Sequence, residues 1–449
     1  MFAFMMKWEN LLRPLELNSH TSHAGPLSRS IFERDFDRII FSAPFRNLQD
    51  KTQVFPLPED DFVHTRLTHS LEVASVGRSL GKSAGEYLVE KYPEISEPHF
   101  RIGDVGAIVS AAALTHDIGN PPFGHAGEEA ISDFFKFHPY GQAWKPWLSQ
   151  SEWADMIRFE GNAQGFRMLV DKQNGIRISA ATLAAFTKYP RPAHVEKEFP
   201  DRRSQKKFGF FSGELSTYRE VAENLGIISL GPSSWARHPL AFLVEAADDI
   251  CYSIIDLEDG CTLGLVPIEQ VIELLAAIIG ERFSPLKLTQ YPSDKQKLGI
   301  LRAMAIQQLV SETVAAFQAH EPQMLSGDFD RALTDELPSS PVLTAISRLS
   351  VEKIYRSQPV LEKEAAGFQV IEGLLEVFSK AIYHRFHTTS QFSGKDKSIL
   401  RLLPQGFPLG GEVRPYERLR ALMDFVSGMT DKYALLLYRR VKGITLPGS

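Results

Sequence analysis

The sequence predicts an all-α protein, and three observations predict it. Apolar residues recur at helical spacing in segment after segment, no stretch sustains an alternation of period two, and proline- or glycine-containing turns separate the periodic segments. A chain of 449 residues with 43% hydrophobic content can bury one large core or two ordinary ones. Its net charge of −6 is small for that length, so the overall balance points to neither a nucleic-acid coat nor a membrane surface, and any anion-binding site must be local. The longest apolar runs, such as Val105 to Leu114, are too short to cross a bilayer. The only two cysteines, Cys251 and Cys261, fall in or just after one helical segment, and the opening MFAFMMKWENLL lacks the basic start and small-residue cleavage site of a secretion signal. Together these point to a reducing cytoplasm.

Taken in order, residues 1–28 read as an amino-terminal arm whose Trp8, Leu11 and Leu12 can dock on the rest. From Ser30 to Leu48 the apolar residues Ile31, Phe32, Phe36, Ile39, Ile40 and Phe45 follow a helical period. Thr52 to Leu57 should be extended, because Pro56 and Pro58 keep it out of a helix. Thr65 to Leu88 reads as a long helix with Leu67, Leu71, Ala74 and Leu80 facing the core. His69 sits among them, and taken alone it is explained better by packing than by metal binding. Arg66, three residues earlier, shares its face and can meet either a phosphate or an ordinary ion-pair partner.

The densest chemistry lies from Ser110 to Ile131, SAAALTHDIGNPPFGHAGEEAI. A small-residue helix ends in the pair His116 and Asp117, breaks at Gly119, Asn120, Pro121 and Pro122, and restarts with His125 and Glu128. Neutral imidazole and carboxylate suit a divalent first-row metal, and adjacent residues can share one only at a helix end. Residues 136–153 are rich in aromatics and prolines without a clear period, as in a loop or lid or a packed surface excursion. Phe159, Glu160, Gly161, Asn162 and Ala163 lead into a further helix ending near Gly175, and residues 179–187 form one more. After them, Lys188 beside Tyr189 offers a cation and a stacking surface, whereas the basic run with Arg202, Arg203, Lys206 and Lys207 reads as a solvated face.

Pro239 to Gly260 is the third informative stretch. Leu240, Leu243, Val244, Ala247, Ile250, Ile254 and Leu257 mark its buried stripe, while Asp248, Tyr252 and Asp256 recur every four residues along another side. Adjacent Asp248 and Asp249 would repel in an apolar helix; a metal would relieve this, and so would facing water. Beyond Cys261 periodic segments near 266–280, 297–319, 341–356, 368–386 and 416–440 continue the helical pattern. The chain contains no internal repeat, zinc-type cysteine pair, phosphate-binding glycine loop or dinucleotide fingerprint.

The stretches FERDFDRIIFSAPFRNLQDKTQVFPL, TRLTHSLEV, LTHDIGNPPFGHAGEEAI, RFEGNAQGFR, VEAADDICYSIIDLEDG and FVSGMTDKYA resemble the deoxyguanosinetriphosphate triphosphohydrolase (dGTPase) family of HD-domain phosphohydrolases, and they spread over nearly the whole chain. The resemblance implies an HD-type helical core at 29–270 with additional carboxy-terminal helices at 271–449 packed on it. It implies that His69, His116, Asp117 and Asp248 hold a magnesium or manganese ion, with Asp248 preferred to Asp249 for its spacing to Tyr252 and Asp256. His125 and Glu128 match the family's catalytic pair. Tyr252 would pack against the sugar, Asp256 and Gln53 would approach the 3′-hydroxyl, and Arg66, Lys188 and Tyr189 match positions that handle the triphosphate or its surroundings; Arg418 or Arg420 is a weaker match. The implied reaction is hydrolysis of a deoxynucleoside triphosphate, dGTP by family default, to deoxynucleoside and tripolyphosphate. A homo-oligomer, hexamer or tetramer, belongs to the same implication, which leaves open whether a nucleotide or single-stranded DNA acts as an effector; the short apolar runs imply no membrane partner. The alternatives are an HD-family phosphodiesterase, which would need more histidines for a second metal, and a non-catalytic nucleotide-binding regulator, which would not need His125. A guanosine tetraphosphate hydrolase should carry acids soon after the HD pair, where this chain has IGNPP.

Overall fold

A computed structural model describes residues 5–17, 29–53, 64–95 and 100–445. Among these residues the chain forms 20 α-helices and one short antiparallel hairpin, Ser229–Gly231 with Ser234–Trp235. The all-α expectation holds.

Helix Arg66–Lys91 and helix Ile102–Leu114 make the closest pair. Gly77, Gly81 and Gly85 recur every four residues along their contact, and a Cβ at Gly81 would sit 2.8 Å from Gly106 Cα and from the Val105 carbonyl. Removing three side chains at helical spacing lets the two backbones approach. That approach brings His69 near the end of the second helix. Helix Pro239–Thr262 packs across both; Pro239 sits in its first turn, where the missing N–H costs nothing, and the expected stripe from Leu240 to Leu257 is buried.

Apolar side chains gather in two clusters. The first joins Trp8, Leu11 and Leu12 to Leu80, Val109, Leu243 and Ile254, and extends through Leu309 and Phe317 to Ile354. The second joins Phe123, Ile131, Phe134 and Phe135 to Ile371, Phe378, Leu419 and Leu437. The arm docks partly through Trp8, whose indole Nε1 donates to Glu321 Oε1 at 2.7 Å.

Several sequence expectations need correction. The helix expected over Ser30–Leu48 is interrupted: Ile31–Ile40 ends, and Ser42 caps a new turn, Ala43–Arg46, with Pro44 where no N–H is needed. Leu71, expected inside, is 44% exposed, because it lies on the opposite side of its helix from Leu80. Residues 136–153 are helical in part, with Pro139–Gln142 and the start of Gln150–Ile157, and Trp144 is fully buried with its Nε1 donating to Ser379 Oγ. The last segment splits at Gly428 into Pro415–Ser427 and Asp431–Val441. The 341–356 segment is helix Ser340–Ser350 followed by a π-helical turn, Val351–Tyr355. Helices Leu215–Leu225 and Gly394–Leu400 went unread. Thr52 does pair as extended chain, with Thr65; residues 54–57 of that expected piece lie outside the described residues, as do residues 1–4 and 18–28 of the arm.

Candidate active site

Three helices converge on one cluster. His69 lies in the first turn of helix Arg66–Lys91, which Thr65 caps. His116 and Asp117 follow the end of helix Ile102–Leu114, and Asp248 sits inside helix Pro239–Thr262. Asp248 Oδ1 is 3.3 Å from His69 Nε2 and 3.4 Å from His116 Nε2, while Asp117 Oδ2 is 3.6 Å from His116 Nε2. His69, His116 and Asp117 are buried, with ligand atoms within 4.8 Å of one another. His116 Nδ1 lies 2.7 Å from the Ala113 carbonyl, a contact only an N–H can make, so Nε2 keeps its lone pair toward the cluster. Two imidazoles and the Asp117 carboxylate, with Asp248 Oδ1 against both imidazoles, form a donor set that fits a divalent ion. Asp249 faces away and accepts from Thr334 Oγ1 at 2.7 Å.

Two cations flank the cluster. Arg66 Nη1 donates to Asp117 Oδ2 at 2.6 Å and Lys188 Nζ to Asp248 Oδ2 at 2.7 Å. Asn120 Nδ2 takes the other Asp117 oxygen at 2.6 Å. Burial works against both carboxylates, yet Arg66 and the two histidines hold Asp117 well below the usual range, and Lys188 with His116 does the same for Asp248. Burial pushes His116 down. It also opposes charge on His69, but there the hydrogen bond and charge of Asp248 prevail and the pKa rises.

Across a cavity of about 430 Å³, His125 opens helix His125–Phe137. Its Nδ1 is 2.7 Å from Glu128 Oε2, one helical turn on. Glu128 Oε1 accepts the Gly161 N–H at 2.6 Å, so the carboxylate is held at both oxygens. The contact with Glu128 raises the His125 pKa. The His125 side chain is 84% exposed and faces the cavity, which makes it the accessible half of the pair.

Of the residues singled out in the sequence, Gln53, Arg66, His116, Asp117, His125, Glu128, Lys188, Tyr189, Asp248 and Tyr252 line this cavity. His69 and Asp256 lie behind its wall. Asp256 Oδ2 accepts the Tyr355 hydroxyl at 2.6 Å, and burial carries the Asp256 pKa up to about 7. Tyr355 itself stacks on Tyr252 with centroids 5.6 Å apart and lines the cavity. Arg418 and Arg420 are not brought there: Arg418 lies 3.7 Å over the Phe386 ring and Arg420 3.6 Å over Phe211.

The sequence reading missed Tyr355, Glu160, Lys207 and Glu364, all cavity residues. Lys207, taken for part of a solvated face, donates to Glu160 Oε1 at 3.0 Å. Glu160 stands in the quoted RFEGN run, which was the available signal; nothing local marked Tyr355 or Glu364.

Comparison with known families matches an HD domain to residues 66–146 and a phosphohydrolase-associated domain to residues 340–440. A deoxyguanosinetriphosphate triphosphohydrolase-like protein of Synechocystis sp. is 39% identical, covering 98% of this chain and 100% of that protein. One of the same description from Pseudomonas aeruginosa is 38% identical over 98% of this chain and 100% of its own. A deoxyguanosinetriphosphate triphosphohydrolase of Salmonella paratyphi A is 32% identical, covering 92% and 94%.

Proposed function

The chain belongs to the HD-domain deoxyguanosinetriphosphate triphosphohydrolase family, and from that premise we propose that it hydrolyses deoxynucleoside triphosphates, dGTP among them, to deoxynucleoside and tripolyphosphate. The family and the His69–His116–Asp117 cluster already support a metal-dependent phosphohydrolase. The observation that carries the finer reading is the His125–Glu128 pair facing the cluster across one cavity flanked by Arg66 and Lys188.

In this reading His69, His116, Asp117 and Asp248 hold a magnesium or manganese ion. Bound there, such an ion would supply Lewis acidity to the reaction. Arg66 and Lys188, whose charges now face Asp117 and Asp248, also meet the non-bridging oxygens of the triphosphate, where negative charge builds as the α-phosphorus is attacked. Glu128 orients the His125 ring and favours its protonated form, which suits Nε2 to deliver a proton to the departing 5′-oxygen. Water adds at the α-phosphorus, the bond to the 5′-oxygen breaks, and tripolyphosphate leaves intact. Tyr252, stacked on Tyr355, packs against the deoxyribose; Gln53, with Asp256 behind the Tyr355 hydroxyl, serves the 3′-hydroxyl. A homo-oligomer and a nucleotide or single-stranded DNA effector belong to the same proposal.

The test is product analysis after incubation with manganese or magnesium and each of the four deoxynucleoside triphosphates and GTP. Deoxynucleoside plus tripolyphosphate, lost in His116→Ala, is the expected result. Diphosphate or monophosphate products would contradict it.

A further inference from the structure

The lip that carries His125 is held from far along the chain. Between Asp117 and His125 the backbone turns through Phe123 at φ +62° and Gly124 at φ +58°, and Phe123 is the sole non-glycine with a left-handed φ among the described residues. A bulky residue in that region is strained unless its surroundings over-determine it. Its ring is buried in the second cluster, so close to helix Gln358–Phe386 that a Cβ at Gly367 would sit 2.8 Å from it. Its N–H donates to Asp431 Oδ1 at 3.0 Å.

Asp431 is 1% exposed and opens helix Asp431–Val441. Its other oxygen, Oδ2, accepts the Thr52 N–H at 3.1 Å and the Thr52 hydroxyl at 2.6 Å. Thr52 precedes Gln53, and both line the cavity beside the Phe123 turn. Beside it Lys51, 2% exposed, donates to the Asn120 and Ser427 carbonyls at 2.7 Å each. One carboxylate therefore accepts from two segments of the cavity rim, and one ammonium bridges the Asn120 turn to the same carboxy-terminal corner.

We infer that Asp431 is a positioning residue for the catalytic centre: it holds the Phe123 turn, and through it His125, together with the Thr52–Gln53 strand, while touching none of the proposed metal ligands. The kinetic half of this inference rests on the proposed hydrolase activity; the structural half does not.

The experiment compares wild type with Asp431→Ala and Asp431→Asn. Hydrogen exchange of the full-length protein should show amides of 118–126 and 51–53 exchanging at least ~10-fold faster in Asp431→Ala while those of the Arg66–Lys91 helix keep their protection, since exchange reports local opening. Manganese affinity should stay at the wild-type value. With a deoxynucleoside triphosphate, kcat should fall by about 10–100-fold, the scale of a misplaced catalytic group, and Asn, which keeps one carbonyl acceptor, should recover part of it. Wild-type exchange at 118–126 in both variants would overturn the inference. So would faster exchange throughout the protein with loss of manganese binding, which would make Asp431 a general stabilising residue. Local loosening with unchanged kcat would overturn the positioning role. If wild type turns over no deoxynucleoside triphosphate, the hydrolase reading fails, and the exchange result still decides whether Asp431 holds the lip.

Discussion

On one wall of the cavity His116, Asp117 and Asp248, with His69 just behind them, stand on or at the ends of three helices that bury Leu80, Val109 and Leu243 together in the first apolar cluster. On the facing wall His125 and Glu128 open a helix whose Ile131, Phe134 and Phe135 lie in the second, among side chains from the carboxy-terminal third such as Ile371, Phe378 and Leu419. The first wall is made by two helices close in sequence and packed backbone to backbone, with helix Pro239–Thr262 laid across them; the second is held from the far end of the chain, Phe123 by Asp431, 308 positions away. The difference teaches that the two halves of the proposed mechanism, metal capture and proton transfer, would have separate structural supports, and that the short Gly119–Gly124 turn is where they meet. Gly119 can have no side chain there, since a Cβ would overlap the Gly161 and Gly165 backbone.

Substitutions on the first wall should have the largest effect. His116→Ala or Asp248→Ala is expected to abolish both manganese binding and turnover, measured by metal titration and product release, because a site missing one of the four proposed ligands also leaves its neighbouring buried charges unpaired. On the second wall His125→Ala should lower kcat by ~10²–10⁴-fold, the usual contribution of a positioned acid or base. Glu128→Gln should cost less, since the ring remains and only its partner changes.

The two clusters can be probed directly. Leu80→Ala in the first and Phe378→Ala in the second should each cost about 2–5 kcal/mol, as fully buried side chains do. Helix Gly161–Val170 gives Ala163 to the second cluster and Phe166 and Leu169 to the first, so both variants should lower one shared thermal transition. Two transitions, each moved by one variant, would instead make the walls independent folding units.

The smallest effect expected is a pH dependence confined to the metal side. His64 Nδ1 lies 2.8 Å from Asp259, and that hydrogen bond, with a second to Glu72, raises its pKa from 6.5 to about 10 against the opposing effect of burial. A raised histidine pKa means that the folded state binds the proton more tightly. Its stabilisation is therefore complete below about 6.5 and fades as pH rises toward 10. The stability difference between wild type and His64→Gln, from urea melts, should shrink across that window; a constant difference would contradict it.

The same contrast explains what could be read from the chain alone. His116 and Asp117 were visible because a small-residue helix ends beside them, and Asp248 because its spacing to Tyr252 and Asp256 is periodic; both signals are local. The glycine spacing that seats His69 against them is local too, though its meaning needs the neighbouring helix. Tyr355 gave no signal, since a π-helical turn at the end of an ordinary helix brings it to the cavity. Lys207 was hidden by composition, as a basic run looks solvated until Glu160 is placed opposite it. The hold of Asp431 on Phe123 and Thr52 depends on contacts across most of the chain, which no periodicity encodes.

The division between the walls is tested most directly by titrating manganese into His125→Ala beside wild type and following the bound ion by electron paramagnetic resonance. The account expects the same stoichiometry and affinity in both, with turnover lost only in the variant. Weakened binding in His125→Ala would show that the facing wall takes part in holding the metal, and the separation argued from the two clusters would fall.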